Sequence, residues 1–298
     1  MEAGDPALQR GGQLMAAPQP PHATRLTPPH GLARPDQVRR RDVVRTLVGV
    51  SALNELQYRV NFFLQLFQSL VALATAIAVV ALVFLYTPTL GGWSPWELMV
   101  LVGVHTALGG VIRSVIQPSM QLLMEDIREG KLDFALTKPV DAQLLVSLRR
   151  ITVWPLVDVI VGLGVVVVAA LQADVSITLV GVAIFPVTLV LGAAMIYCLW
   201  LIITTGAFWV VRMEHVAELF NGLYQAGRWP IGLFPGWLRT IFTVLVPLAF
   251  AVTLPSEVLT GRAGLLALGG ATLFALVLAT FTRWFWRLGI KNYAGASA

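Results

Sequence analysis

No aspartate, glutamate, lysine or arginine occurs between Arg59 and Glu97, and none between Asp174 and Arg212. Uncharged runs of this length constrain the fold more than any other feature, because about 20 apolar residues cross the hydrocarbon core of a bilayer as one helix. Composition agrees. The chain is 57% hydrophobic and 12% charged, against about 25% charged in a soluble domain. A multi-span membrane protein follows. The single cysteine, Cys198, permits no intrachain disulfide and reads as a packing residue in an apolar run. The net charge of +5 falls at segment ends and in the N-terminal tail. That placement fits membrane orientation rather than nucleic-acid binding.

Five candidate spans are Asn61 to Tyr86, Trp96 to Gln117, Ile151 to Leu171, Ile177 to about Gly206, and Gly264 to Trp286. Two weaker stretches, Ala217 to Phe234 and Trp237 to Leu254, precede the last and are interrupted by Pro230, Pro235, Pro247 and Pro255. One is expected to cross and the other to enter and turn back. Broken backbone is tolerated at that depth only where protein or a wet cavity covers it. Which stretch does which stays open, and either choice gives six crossings. The expected fold is an all-α integral membrane protein with six transmembrane helices and a re-entrant segment before the last helix.

Residues 1–41 are rich in Pro, Gly, Gln and Arg without apolar periodicity, and are expected to form a disordered cytoplasmic tail. In 42–60, Asp42 suits an N-cap, and Val44, Val48, Ala52 and Leu56 share one row. This segment is too polar to span. It is expected to be an N-terminal amphipathic interfacial helix, with an ordinary protein-packed helix as the alternative. Residues 61–298 then form the transmembrane domain, with a charged loop at 121–150. That loop carries Arg128, Lys131, Lys138, Arg149 and Arg150, while "TPTLGGWSP" and "QADVS" carry no basic residue. The positive-inside rule puts the loop and both termini in the cytoplasm, at an inner (plasma) membrane. Arg228, Arg239 and Arg262 fall outside or near the outer interface and are exceptions.

Within the loop, "EDIREGKLDFALTKPVD" concentrates both charge signs. Met124 to Leu132 reads as a short polar helix and "KPVD" as a turn. Leu132, Phe134, Ala135 and Leu136 add an apolar anchor. Mixed charge around a small apolar patch suits a docking surface; a solvated connector is the plain alternative. The stretch "EGKLDFALTKPVDAQLLVSLRRITVW" resembles the loop between the second and third spans of type-2 ABC transporter permeases, and "GRWPIGLFPGWLRTIFTVLVPLAFAVTLPSEVLTG" resembles their C-terminal half. The similarity runs from about Asn54 to Ala294 and leaves out the tail. It implies that the loop is a coupling helix contacting a separate ATPase. The contact candidates are Glu125, Asp126, Arg128, Glu129, Lys131, Leu132, Asp133, Phe134 and Lys138. It also implies an interfacial helix before the first span, a re-entrant segment before the last, and a second permease subunit, identical or related.

No phosphate-binding loop is present: the "GK" at Gly130 and Lys131 has Glu125 where the first glycine belongs and Leu132 where a hydroxyl belongs. ATP and Mg are therefore expected on the partner ATPase, with no cofactor on this chain. His22, His30, His105 and His215 make no metal-ligand spacing. Charges inside spans are costly and face the bundle or a wet path. Arg113 and Asp158 read either as a structural pair or as part of a substrate path, to which Trp154, Phe185 and Met195 are weaker candidates; Arg113 can also snorkel to the interface. The expected function is the permease subunit of an exporter, itself no enzyme, with lipids and ATP-binding subunits as partners. A membrane enzyme acting on lipids and a docking scaffold are the rivals.

Overall fold

A computed structural model describes residues 59–137, 141–173, 177–209 and 215–293, apart from the side chains of Arg59, Phe134 and Ala135. The expected tail and nearly all of the expected interfacial helix lie outside the described residues, as does Lys138. The described residues all belong to one compact unit. They are helical and contain no strand beyond one isolated Leu90–Trp93 bridge.

Helix α1 (Arg59–Tyr86) opens the described chain and takes in Arg59 and Val60, which the sequence assigns to the preceding segment. Ser94 then starts α2 (Pro95–Val111) with a capping box: its hydroxyl accepts from the Glu97 amide, and the Glu97 carboxylate accepts from the Ser94 amide. A π turn at Ile112–Ile116 joins α2 to α3 (Gln117–Arg128), so Pro95–Arg128 is one apolar helical run of 34 residues. The helix of the second candidate span therefore continues past Gln117. Its continuation is amphipathic, with Met120, Leu123 and Ile127 buried and Gln121, Glu125 and Arg128 exposed.

Two short helices follow, α4 (Asp133–Leu136) and α5 (Ala142–Ser147). Helix α6 (Leu156–Gln172) starts after Pro155, later than the expected Ile151. Residues 151–155 instead dock on the π turn, where i→i+5 geometry loosens the backbone ladder. The Thr152 amide donates to Ser114 O at 2.9 Å, and the Thr152 hydroxyl donates to Arg113 O at 2.8 Å. Close packing of α2 on α6 depends on Gly162. A Cβ there would sit 2.6 Å from Gly103 O.

Helix α7 (Leu179–Gly206) and the last helix, α11 (Leu265–Lys291), pack where Gly289 leaves room for Thr205 and Phe208. Between them come the amphipathic α8 (Val216–Ala226), then α9 (Gly236–Thr240) and α10 (Leu254–Leu259). π turns extend α9 to Leu245 and start the α10 arm at Ala249, and the two arms meet at 78°. Pro247 explains the break, since it lacks an N–H and pushes Val246 out of the helical region to φ −119, ψ 68. By length and composition, Val60–Tyr86, Pro95–Arg128, Leu179–Gly206 and Leu265–Lys291 suffice to cross a membrane. The bent pair is a fifth candidate, and α6 is a shorter apolar helix.

Candidate functional site

The charged loop begins as the rigid end of the 34-residue run, not as a separate helix over Met124 to Leu132. Helix α3 stops because Gly130 adopts φ +69. The Lys131 amide then donates to Asp126 O at 2.8 Å and the Gly130 amide to Ile127 O at 3.4 Å. This pair of bonds satisfies carbonyls the helix end leaves open, and glycine alone takes the left-handed position without steric cost. The turn carries Leu132 into the interior, where it is fully buried in the same apolar cluster as Leu123 and Ile127.

The expected contact residues divide into two groups. Glu125, Arg128, Glu129 and Lys131 are exposed. Glu129 and Lys131 form an exposed ion pair at 2.5 Å. A hydrogen bond from Lys131 lowers the Glu129 carboxyl, and the same bond raises the Lys131 ammonium, so both stay charged near neutral pH. Asp126 and Leu132 face inward instead. Asp126 is buried and pairs with Arg149, which binds the first half of the loop to its second half. Asp133 is half-buried. Burial, followed by the Asp133 carboxylate, raises the Tyr293 phenol just beyond α11. Phe134 lies in α4.

The second half of the loop is fixed by α5. The Asp141 carboxylate caps this helix, accepting from the Gln143 amide at 3.0 Å and the Leu144 amide at 3.3 Å. It also accepts two bonds from the Arg283 guanidinium of α11, at 2.6 and 3.2 Å. The Arg283 contact lowers the Asp141 carboxyl below its ordinary range. Further bonds run from α5 to Tyr197 of α7. Sequence reasoning misses this network because its partners are separated by 142 residues for Arg283–Asp141 and 54 for Gln143–Tyr197.

Of the residues expected on a path, Arg113 and Asp158 meet. Arg113 donates to Asp158 Oδ2 at 2.7 Å, and Gln65 Nε2 donates to the same oxygen at 2.9 Å. Asp158 is buried and lies in the first turn of α6. The trio clamps α1, α2's π turn and α6 together. Trp154 packs its ring 6.0 Å from Phe62, one turn of α1 from Gln65. Met195 is fully buried and Phe185 half-buried. Among the described residues no group of three or more metal-binding side chains occurs. His105 instead stacks on Tyr224, with ring centroids 4.4 Å apart, while the Tyr224 hydroxyl donates to His105 O at 2.7 Å. Cys198 is buried, as expected.

At the opposite end of the 34-residue run, Glu97 binds Arg262 through both carboxylate oxygens at 2.9 Å. The guanidinium also bonds Gly92 O at 2.9 Å and lies 4.9 Å from the Trp93 ring centroid. The adjacent Gly91 faces Leu233, whose Cδ2 would lie 2.7 Å from an added Cβ. Thus Leu233, before the bent pair, and Arg262, after it, both touch the same short loop.

The family model described as "ABC-2 family transporter protein" matches residues 70–297 of this chain. No curated protein and no solved structure matches it.

Proposed function

The chain belongs to the ABC-2 family of transporter proteins and is a multi-pass permease subunit of an ABC transporter; from that premise we propose that it is the membrane half of an exporter driven through loop 121–150 by separate ATP-binding subunits. The observation that carries this reading is the 34-residue helical run Pro95–Arg128. It runs from the apolar bundle through the π turn at Ile112–Ile116 to an exposed charged tip, so a push on the tip reaches the bundle along one helical run. Glu125, Arg128, Glu129 and Lys131 supply contacts of both signs, which favour one docking register. ATP and Mg belong to the partner subunits, and a second permease copy or relative completes the path.

The same reading places the charged tip in the cytoplasm of an inner membrane, with both termini on that side and six crossings. Residues 216–234 would be the fifth crossing, and the bent pair would be re-entrant. Leu233 and Arg262 support this, because they meet neighbouring glycines, Gly91 and Gly92, at the end away from the charged tip. A segment that begins and ends at one loop enters and returns.

The test is to reverse exposed charges alone. Glu125→Lys with Glu129→Lys leaves every span and the buried Asp126–Arg149 pair untouched. The expected outcome is normal accumulation in the membrane with loss of co-purifying ATP-binding subunits, or of ATP-driven transport. Full retention of both would make the loop a solvated connector. A partly wet charged contact contributes about 1 kcal/mol or less, so the double variant is the informative one.

A further inference from the structure

We infer that the Asp141–Arg283 contact is a positioning element that carries movement of the charged loop to the last helix, α11. The inference rests on the coupling role proposed above and adds the route by which motion leaves the loop.

Helix α5 is six residues long, and its covalent neighbours in the loop lead to α3 and α6. Its side chains nevertheless hold α7 and α11, which are distant in sequence. Arg283 of α11 grips Asp141 with Nη1 and Nη2 and also donates from Nη1 to Gln143 Oε1 at 2.5 Å. Gln143 Nε2 donates to the Tyr197 hydroxyl at 3.3 Å. The Tyr197 and Ser147 hydroxyls lie 2.6 Å apart. A planar guanidinium held at two points fixes direction as well as distance, so α5 cannot swivel about a single contact. Helices α7 and α11 close on each other at Gly289, and displacement of α5 therefore moves them as a unit. Arg283 keeps 39% of its side-chain exposure. A pair this wet contributes little to holding the fold; what it supplies is orientation.

Asp141 also caps α5, and the test has to separate that duty from the ion pair. Asp141→Asn keeps a good N-cap while removing the charge. Arg283→Gln removes the other partner, and Arg283→Lys retains charge without the fork. Each is made in a Cys198→Ala background carrying spin labels at Leu171→Cys and Leu266→Cys, which are 80% and 93% exposed at the ends of α6 and α11 away from the loop. The sample is the complex purified from its native membrane with its ATP-binding subunits, and the readout is the inter-label distance without nucleotide and after ATP and vanadate.

D141N and R283Q are expected to cut the nucleotide-driven shift at least about twofold while ATP hydrolysis stays within about twofold of the parent, as loss of coupling between intact sites requires. R283K should keep an intermediate shift. A full shift in both D141N and R283Q overturns the inference and leaves the permease reading standing. Loss of assembly in both variants makes the pair a folding contact and overturns it too. Absence of ATP-binding subunits, or of any shift, in the parent complex contradicts the coupling role itself and removes the inference with it.

Discussion

Glu125 and Asp126 are adjacent carboxylates on one helical turn, and a 100° step per residue sends one to solvent and the other inside. Asp126 meets Arg149, so removing its carboxylate leaves an arginine at the loop's edge without its partner. Breaking a fully buried pair costs about 3–5 kcal/mol, and since Arg149 is part-exposed we expect about 1–3 kcal/mol for Asp126→Ala. A lowered thermal midpoint of the purified permease would register it. Glu125→Ala should leave that midpoint unchanged within error. Equal midpoints for the two variants would contradict the division between inward and outward faces. The sequence shows both residues as loop charges; only the length of α3 decides which face each occupies.

At the scale of elements, the approach of α2 to α6 provides a sharp test. Gly162 has backbone of α2 within van der Waals contact, whereas nothing lies within 4 Å of a Cβ built on Gly164. Gly162→Val is therefore expected to destabilise by about 1–3 kcal/mol or more through overpacking and to reduce accumulation in the membrane. Gly164→Val should accumulate normally. Quantitative immunoblots of membrane fractions decide this, and equal yields would contradict the packing. Element boundaries also show what is legible in sequence. Helices α1, α7 and α11 match the apolar runs to within a few residues, because uncharged length alone specifies them. The end of the second span is not legible, since "QLLMEDIR" loses hydropathy while its Met120, Leu123 and Ile127 face stays buried on protein. The start of the third span is misread for the opposite reason. Residues 151–155 are apolar enough for a helix, yet Thr152 docks on the π turn of a helix 38 residues earlier. Of the site, the exposed charges are legible as a cluster. Their internal braces, Asp126–Arg149 and Asp141–Arg283, depend on tertiary proximity that no local pattern encodes.

For the whole molecule, the proposed topology has 216–234 crossing and the bent pair re-entrant. Gly236 then lies outside, together with Ala173. With the buried native Cys198 unreactive, Gly236→Cys and Ala173→Cys should react with an impermeant thiol reagent in intact cells, and Thr137→Cys only after permeabilisation. Gly236 is exposed with nothing within 4 Å of an added Cβ, so the substitution itself is benign. If the bent pair instead crosses as one span, Gly236→Cys becomes protected. Coupling further requires that the tip of the Pro95–Arg128 helix meet a separate ATP-binding subunit. A photoreactive residue at Glu125, activated in native membranes, tests that contact directly. One dominant protein adduct is expected, whose mass spectrum identifies a subunit with a phosphate-binding loop, and its yield is expected to fall in the Glu129→Lys background. Adducts with lipid alone, or with no nucleotide-binding protein while the permease is normally expressed, would contradict it.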